Sequence, residues 1–145
     1  MQVLSAISNK INLVFPIHPR TRKQLEKNSL SIPLKSNNRI KLIEPLSYKE
    51  FMKLLFESKF VITDSGGLQE ETTYLGIPCL TLRPNTERPI TITQGTNELV
   101  DLSDMEEKVN LIMEGNWKNG SVPENWDGKT AHRIVSILLG QITTM

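Results

Sequence analysis

The sequence holds a single cysteine, Cys79, and therefore cannot close an internal disulfide. Cys79 sits in an apolar strand pattern and reads as an inert core residue rather than a reactive thiol. There are only two histidines, His18 and His132, with no H-x-x-x-H and no Cys/His cluster, so a structural metal is not supported. Charge is balanced, 17 basic against 16 acidic residues for a net +1, which leaves no basic field for nucleic acid or an anionic membrane. No apolar run is long enough to cross a bilayer and no signal peptide is evident, so a cytoplasmic protein is expected. Neither G-x-x-x-x-G-K-[ST] nor G-x-G-x-x-G occurs, and neither a P-loop NTPase nor an ordinary dinucleotide site is supported. No internal repeat or low-complexity tract is present.

What is present is an alternation of strand and helix patterns over 145 residues, enough for one domain with its own core. Residues 1–10 read as the tail of a helix. Strands are expected at 12–17, 39–43, 60–63 and 78–82, with a short fifth at 98–100. Helices are expected at 21–29, after Ser47, at 104–114 and at 130–139. Ser47 with Glu50 three residues later has the spacing of a capping box. Phe51, Leu54 and Leu55 then recur at helical spacing, as a core face would. Repeated βα units of this kind predict a Rossmann-like α/β domain, a parallel sheet with helices on both faces.

The most informative stretch is Phe60-Val-Ile-Thr-Asp-Ser-Gly-Gly-Leu-Gln-Glu-Glu71. A short apolar strand ends in Asp64-Ser65-Gly66-Gly67, and a helical pattern starts at once. The first N–H groups of a helix lack partners and its dipole points its positive end the same way, so such a turn is a ready anion site. Ser65 is placed to cap the helix and donate a hydroxyl, and Gly66 and Gly67 have no Cβ to keep a phosphate from the backbone. Taken alone, the turn fits a tight βα connection equally well. Glu70 and Glu71 follow about one and a half helical turns in. One of them faces the same cleft as the turn, or both merely favour the helix N-terminus electrostatically. Thr86-Glu87-Arg88-Pro89 follows the next strand, and parallel strands present their carboxyl ends on one edge. That places Arg88 toward the Ser65 turn, where a guanidinium grips phosphate oxygens in pairs; a solvated surface arginine is the alternative. His18 also follows a strand. It is expected on the same edge as Ser65, either bonded to a backbone carbonyl or touching a ligand.

Several segments in order resemble one family. Thr63-Asp-Ser-Gly-Gly-Leu-Gln-Glu-Glu71, Leu75-Gly-Ile-Pro-Cys-Leu-Thr-Leu-Arg83, Thr86-Glu-Arg-Pro89 and Gly95-Thr-Asn97 are similar to the carboxyl-terminal domain of non-hydrolysing UDP-N-acetylglucosamine 2-epimerases. Ile17-His-Pro-Arg-Thr-Arg22 and Trp126-Asp-Gly-Lys-Thr-Ala-His-Arg133 resemble further segments of that family. The likeness runs from about Asn12 to the C-terminus.

The resemblance implies the second half of a two-domain, glycosyltransferase-B-type fold. It implies interconversion of UDP-N-acetylglucosamine and UDP-N-acetylmannosamine by elimination and readdition of UDP, without a cofactor. By resemblance, Ser65, Gly66 and Gly67 hold the diphosphate, Arg88 a phosphate, Glu71 the ribose hydroxyls, and Phe51 lies near the uracil. His18 takes a sugar-nucleotide or regulatory role. No catalytic residue is assigned within this chain, because the family's proton-moving carboxylates belong to an amino-terminal domain that is not in this sequence. Expected partners are the UDP-sugar, a separate amino-terminal-half chain and a second copy in a homodimer. An inactive UDP-binding remnant, or half of a hydrolysing or glycosyltransferase-like relative, is the alternative reading.

Overall fold

The computed structural model describes residues 2–29, 34 and 36–143; Met1 of the expected first helix lies outside them. In chain order the elements begin α1 (Gln2–Ser8), β1 (Leu13–Pro16), α2 (Pro19–Lys27), β2 (Ile40–Ile43), α3 (Tyr48–Phe56) and β3 (Val61–Thr63). They continue α4 (Gly66–Leu75), β4 (Cys79–Thr81), α5 (Pro89–Thr93), β5 (Asn97–Leu99), α6 (Met105–Met113) and α7 (Thr130–Thr143). Every strand pair is parallel, and the fold is the Rossmann-like α/β type predicted from the alternation.

The chain divides into two compact units, 1–59 with 100–116, and 60–99 with 117–145. In the first, β1 pairs with β2 from Leu13 opposite Ile40 to Pro16 opposite Ile43. Ile7, Ile17, Leu34, Ile40, Leu55, Val100, Met105 and Val109 are buried there, an apolar core of the ordinary kind. Of the face expected on α3, Leu55 is buried, while Phe51 and Leu54 are half-buried. α2 begins at Pro19, two residues before the expected start, because proline's fixed φ suits the first helical position.

In the second unit β3, β4 and β5 form a three-stranded sheet in that order, Val61 opposite Cys79 and Cys79 opposite Asn97. Here the core is polar. Beside Cys79 and Leu80, the buried residues include Gln69, Thr72, Thr73, Thr81, Thr91, Thr96 and Asn97. α4 ends at Gly76, whose φ of 70° is the left-handed conformation that glycine adopts without a Cβ penalty. α7 runs on to Thr143, past the expected 139, since no proline follows to stop it.

The parallel pairing runs β1–β2 within the first unit and β3–β4–β5 within the second. The N–H groups of Leu13 and Ile17 point to β2, bonding Arg39 O and Ile43 O.

Candidate functional site

Parallel pairing puts the carboxyl ends of β3 and β4 on one edge, so the turn after Thr63 and the segment after Thr81 open on the same side, as expected. α4 starts at that turn. Ser65 is its N-cap residue by backbone conformation, at φ −86° and ψ 127°, but its side chain makes no capping bond. The expected Ser65 cap is corrected accordingly. The Ser65 N–H is taken up by Thr63 Oγ1 at 3.0 Å, which holds the turn shut from behind and leaves the hydroxyl unspent. Among the described residues, the first N–H groups of α4 have no side-chain acceptor, at the positive end of a ten-residue helix.

The two glycines at the helix start are not demanded by the fold. A Cβ on Gly66 would meet nothing within 4 Å, and one on Gly67 only Ser65 Oγ at 3.9 Å. Neither glycine has positive φ. Glycine in a helix costs about 1 kcal/mol relative to alanine, so open space over bare backbone is retained here at a cost to stability. That is the shape an approaching anion requires.

Arg88 is drawn to the same helix. Its Nε lies 2.9 Å from Glu70 Oε1, an ion pair between half-exposed side chains. The Nε–H does not point at that oxygen and makes no hydrogen bond, so the contact is Coulombic. Among the described residues the two Nη groups make no hydrogen bond, and the guanidinium, paired with Glu70 and also felt by Glu87, can still offer its fork to a ligand. Glu71, one position along, makes no ion pair or hydrogen bond within the described residues. Glu87 is tied elsewhere: both carboxylate oxygens accept from Arg83 at 3.0 Å. Its own backbone N–H and then Arg83 hold its carboxyl below the usual range.

His18 and Phe51 belong to the first unit. His18 is exposed and caps α2: its Nδ1 accepts the Arg20 N–H at 3.2 Å. Of the two readings left open for His18, a carbonyl bond or a ligand contact, the structure shows neither: the ring nitrogen accepts a backbone amide. Cys79 is fully buried next to Thr81, and burial pushes its thiol above the ordinary value, as suits an inert residue. Asp127, in the segment before α7, accepts from the Lys129 N–H and from Arg133 Nη1, which makes that motif a local brace. Among the described residues no group of three or more His, Cys, Asp or Glu could hold a metal, and no helix is long and apolar enough to cross a membrane.

The family profile described as UDP-N-acetylglucosamine 2-epimerase matches residues 1–139. The chain belongs to this family. It is 46% identical over 132 residues to a UDP-N-acetylglucosamine 2-epimerase of Methanocaldococcus jannaschii, covering 87% of this chain and 34% of that one. A crystal structure of the M. jannaschii enzyme with UDP-GlcNAc and UDP superposes with a TM-score of 0.77 at 41% identity, over 95% of this chain and 38% of that one. The Neisseria meningitidis UDP-GlcNAc 2-epimerase bound to UDP-GlcNAc gives 0.80 at 31% identity, over 96% and 39%. The chain thus spans between a third and two fifths of these relatives.

The sequence reading missed the role of Glu70 as the partner of Arg88, and it missed Gln69, Thr86 and Asn97, which pack beneath it. A signal was available. Gln69, Thr72 and Thr73 recur at helical spacing on α4, and a helix face that is buried yet polar must find hydrogen-bond partners.

Proposed function

We propose that residues 1–145 form the nucleotide-holding, carboxyl-terminal half of a UDP-N-acetylglucosamine 2-epimerase, a single UDP-sugar-binding domain. The start of α4 without a side-chain cap, with clear space over Gly66 and Gly67 and with Arg88, at the start of α5, paired to Glu70 of α4, is the observation that carries this. A diphosphate would lie on the α4 amides and the Ser65 hydroxyl, with Arg88 on a second pair of oxygens. Glu71 would take the ribose hydroxyls; Phe51 for the uracil and His18 for a further contact, both in the first unit, are roles that the family resemblance alone implies. UDP is the leaving group of the family's elimination step, so these residues stabilise the charge that develops as it departs. The base that removes the C2 proton belongs to the part of the relatives that this chain does not span. An amino-terminal half is the partner this division of labour calls for; a second copy of this chain would add a homodimer contact and not the base.

Calorimetry with UDP tests the reading. Weak, saturable binding by the chain alone is expected, and no binding at millimolar UDP overturns it. The division of labour is tested by deuterium exchange at C2 of UDP-N-acetylglucosamine in heavy water. No incorporation is expected; incorporation abolished by Glu71→Gln would place the chemistry in this half.

A further inference from the structure

The Arg88 backbone, at φ −122° and ψ 54°, lies in neither helix nor strand; its carbonyl accepts the Thr91 N–H at 3.0 Å, a turn bond at the start of α5, and its own N–H makes no backbone bond among the described residues. A ring of side chains closes on both groups. The Arg88 carbonyl can only accept, so the Thr91 hydroxyl 2.7 Å away donates to it. Thr91 Oγ1 then accepts from Asn97 Nδ2 at 3.1 Å. The same nitrogen lies 3.2 Å from Gln69 Oε1, which also accepts the Thr86 hydroxyl at 2.6 Å. Thr86 Oγ1 in turn accepts the Arg88 N–H at 3.0 Å. The ring begins and ends on the peptide groups of Arg88. It also fixes both amides, since flipping either one alone would set two donors, or two acceptors, face to face. The Thr81 hydroxyl, 2.6 Å from Asn97 Oδ1, anchors the ring to β4.

Gln69, Thr81, Thr91 and Asn97 are fully buried, and among the described residues Gln69 Nε2 makes no hydrogen bond. The bonds that Gln69 Oε1 and Asn97 Nδ2 do make, in a buried and low-dielectric setting, hold the ring that ends on Arg88. We infer that Gln69 and Asn97 are positioning residues for Arg88: they fix its peptide so that, with Glu70 at Nε, its two Nη groups face the diphosphate. This rests on the UDP-binding reading above and names the residues that set its arginine.

The test is a double-mutant cycle on UDP affinity in the whole chain, with Gln69→Met and Arg88→Ala alone and together. Gln69→Met keeps the volume and removes the acceptor. It is expected to weaken UDP about tenfold with Arg88 present and less than about twofold without it, the signature of a residue acting through another. Should Gln69→Met fail to fold, Thr86→Val and Thr86→Ser make the same comparison from the ring's other side: valine is expected to weaken binding and serine, with its hydroxyl, to recover it. Equal losses in both Arg88 backgrounds, or valine and serine behaving alike, overturn the inference while the nucleotide reading stands. A parent chain that binds no UDP overturns both.

Discussion

Two strand-to-helix turns in this molecule have the same topology and opposite chemistry. After β1, the chain closes the start of α2 on itself. Pro19 has no N–H to satisfy, and the His18 ring takes the Arg20 amide. After β3, the start of α4 is left open: Ser65 makes no capping bond and glycine occupies the first two helical positions. The turn before α3 sides with the first, since Ser47 and Glu50 cap each other reciprocally. α5 and α6 also start without a side-chain cap, so what sets the start of α4 apart is the pair of glycines with open space over them and Arg88 beside it.

The largest effect that sharpens this contrast is at Arg88. Arg88→Ala is expected to weaken UDP by about 1.5–3 kcal/mol, the range for a hydrogen bond to a charged group. The melting temperature should barely move, because the ion pair with Glu70 joins half-exposed groups and such pairs contribute about 0–1 kcal/mol. Titration and thermal melting of the same samples check both halves. Equal affinity in mutant and parent would remove Arg88 from the site.

Next comes Gly67→Val. It fills space that the fold leaves empty, so folding should survive while phosphate approach is blocked. A loss of at least about tenfold in UDP affinity, some 1.4 kcal/mol, with an unchanged circular dichroism spectrum is expected. An unfolded variant would make this glycine structural and close the contrast between the turns.

The strand, the small-residue turn, the helix after it and the placing of the Arg88 loop on the same sheet edge were legible in the sequence because they are local. What keeps Arg88 in place was not legible. The ring through Gln69, Thr86, Thr91 and Asn97 joins residues 6 to 28 positions apart, and nothing in their spacing marks them as neighbours. His18 was read as a choice between a carbonyl bond and a ligand. The amide it accepts is two residues away, within reach of a local cap that the proline at the helix start already hinted at.

The comparison of caps gives a smaller effect. Ser47→Ala removes a side chain bonded at a helix start and should cost about 1 kcal/mol of stability, whereas Ser65→Ala removes no capping bond and should cost a few tenths at most. Chemical denaturation of the two variants measures the difference directly. If both lose the same stability, Ser65 contributes to the fold after all and its hydroxyl is not held in reserve.

The smallest effect is the acid dependence of the closed cap. The Ser47 hydroxyl, and then the Ser47 N–H, hold the Glu50 carboxyl below its ordinary value of 4.5. A carboxyl depressed on folding contributes stability that is present above that value and is lost as pH falls through its lower folded value. Glu50 is fully exposed, so the contribution is modest, and Asp101, lowered to about 2, and Asp127 produce acid sensitivity of the same sign. The difference between two curves isolates it. Ser47→Ala removes the larger of the two bonds to Glu50, so the gap in melting temperature between parent and variant should be widest near neutral pH and narrow as the solution is acidified below 4.5. A gap that stays constant through that range would mean that the cap works through the Ser47 hydroxyl and the Glu50 amide alone, with the carboxylate a bystander.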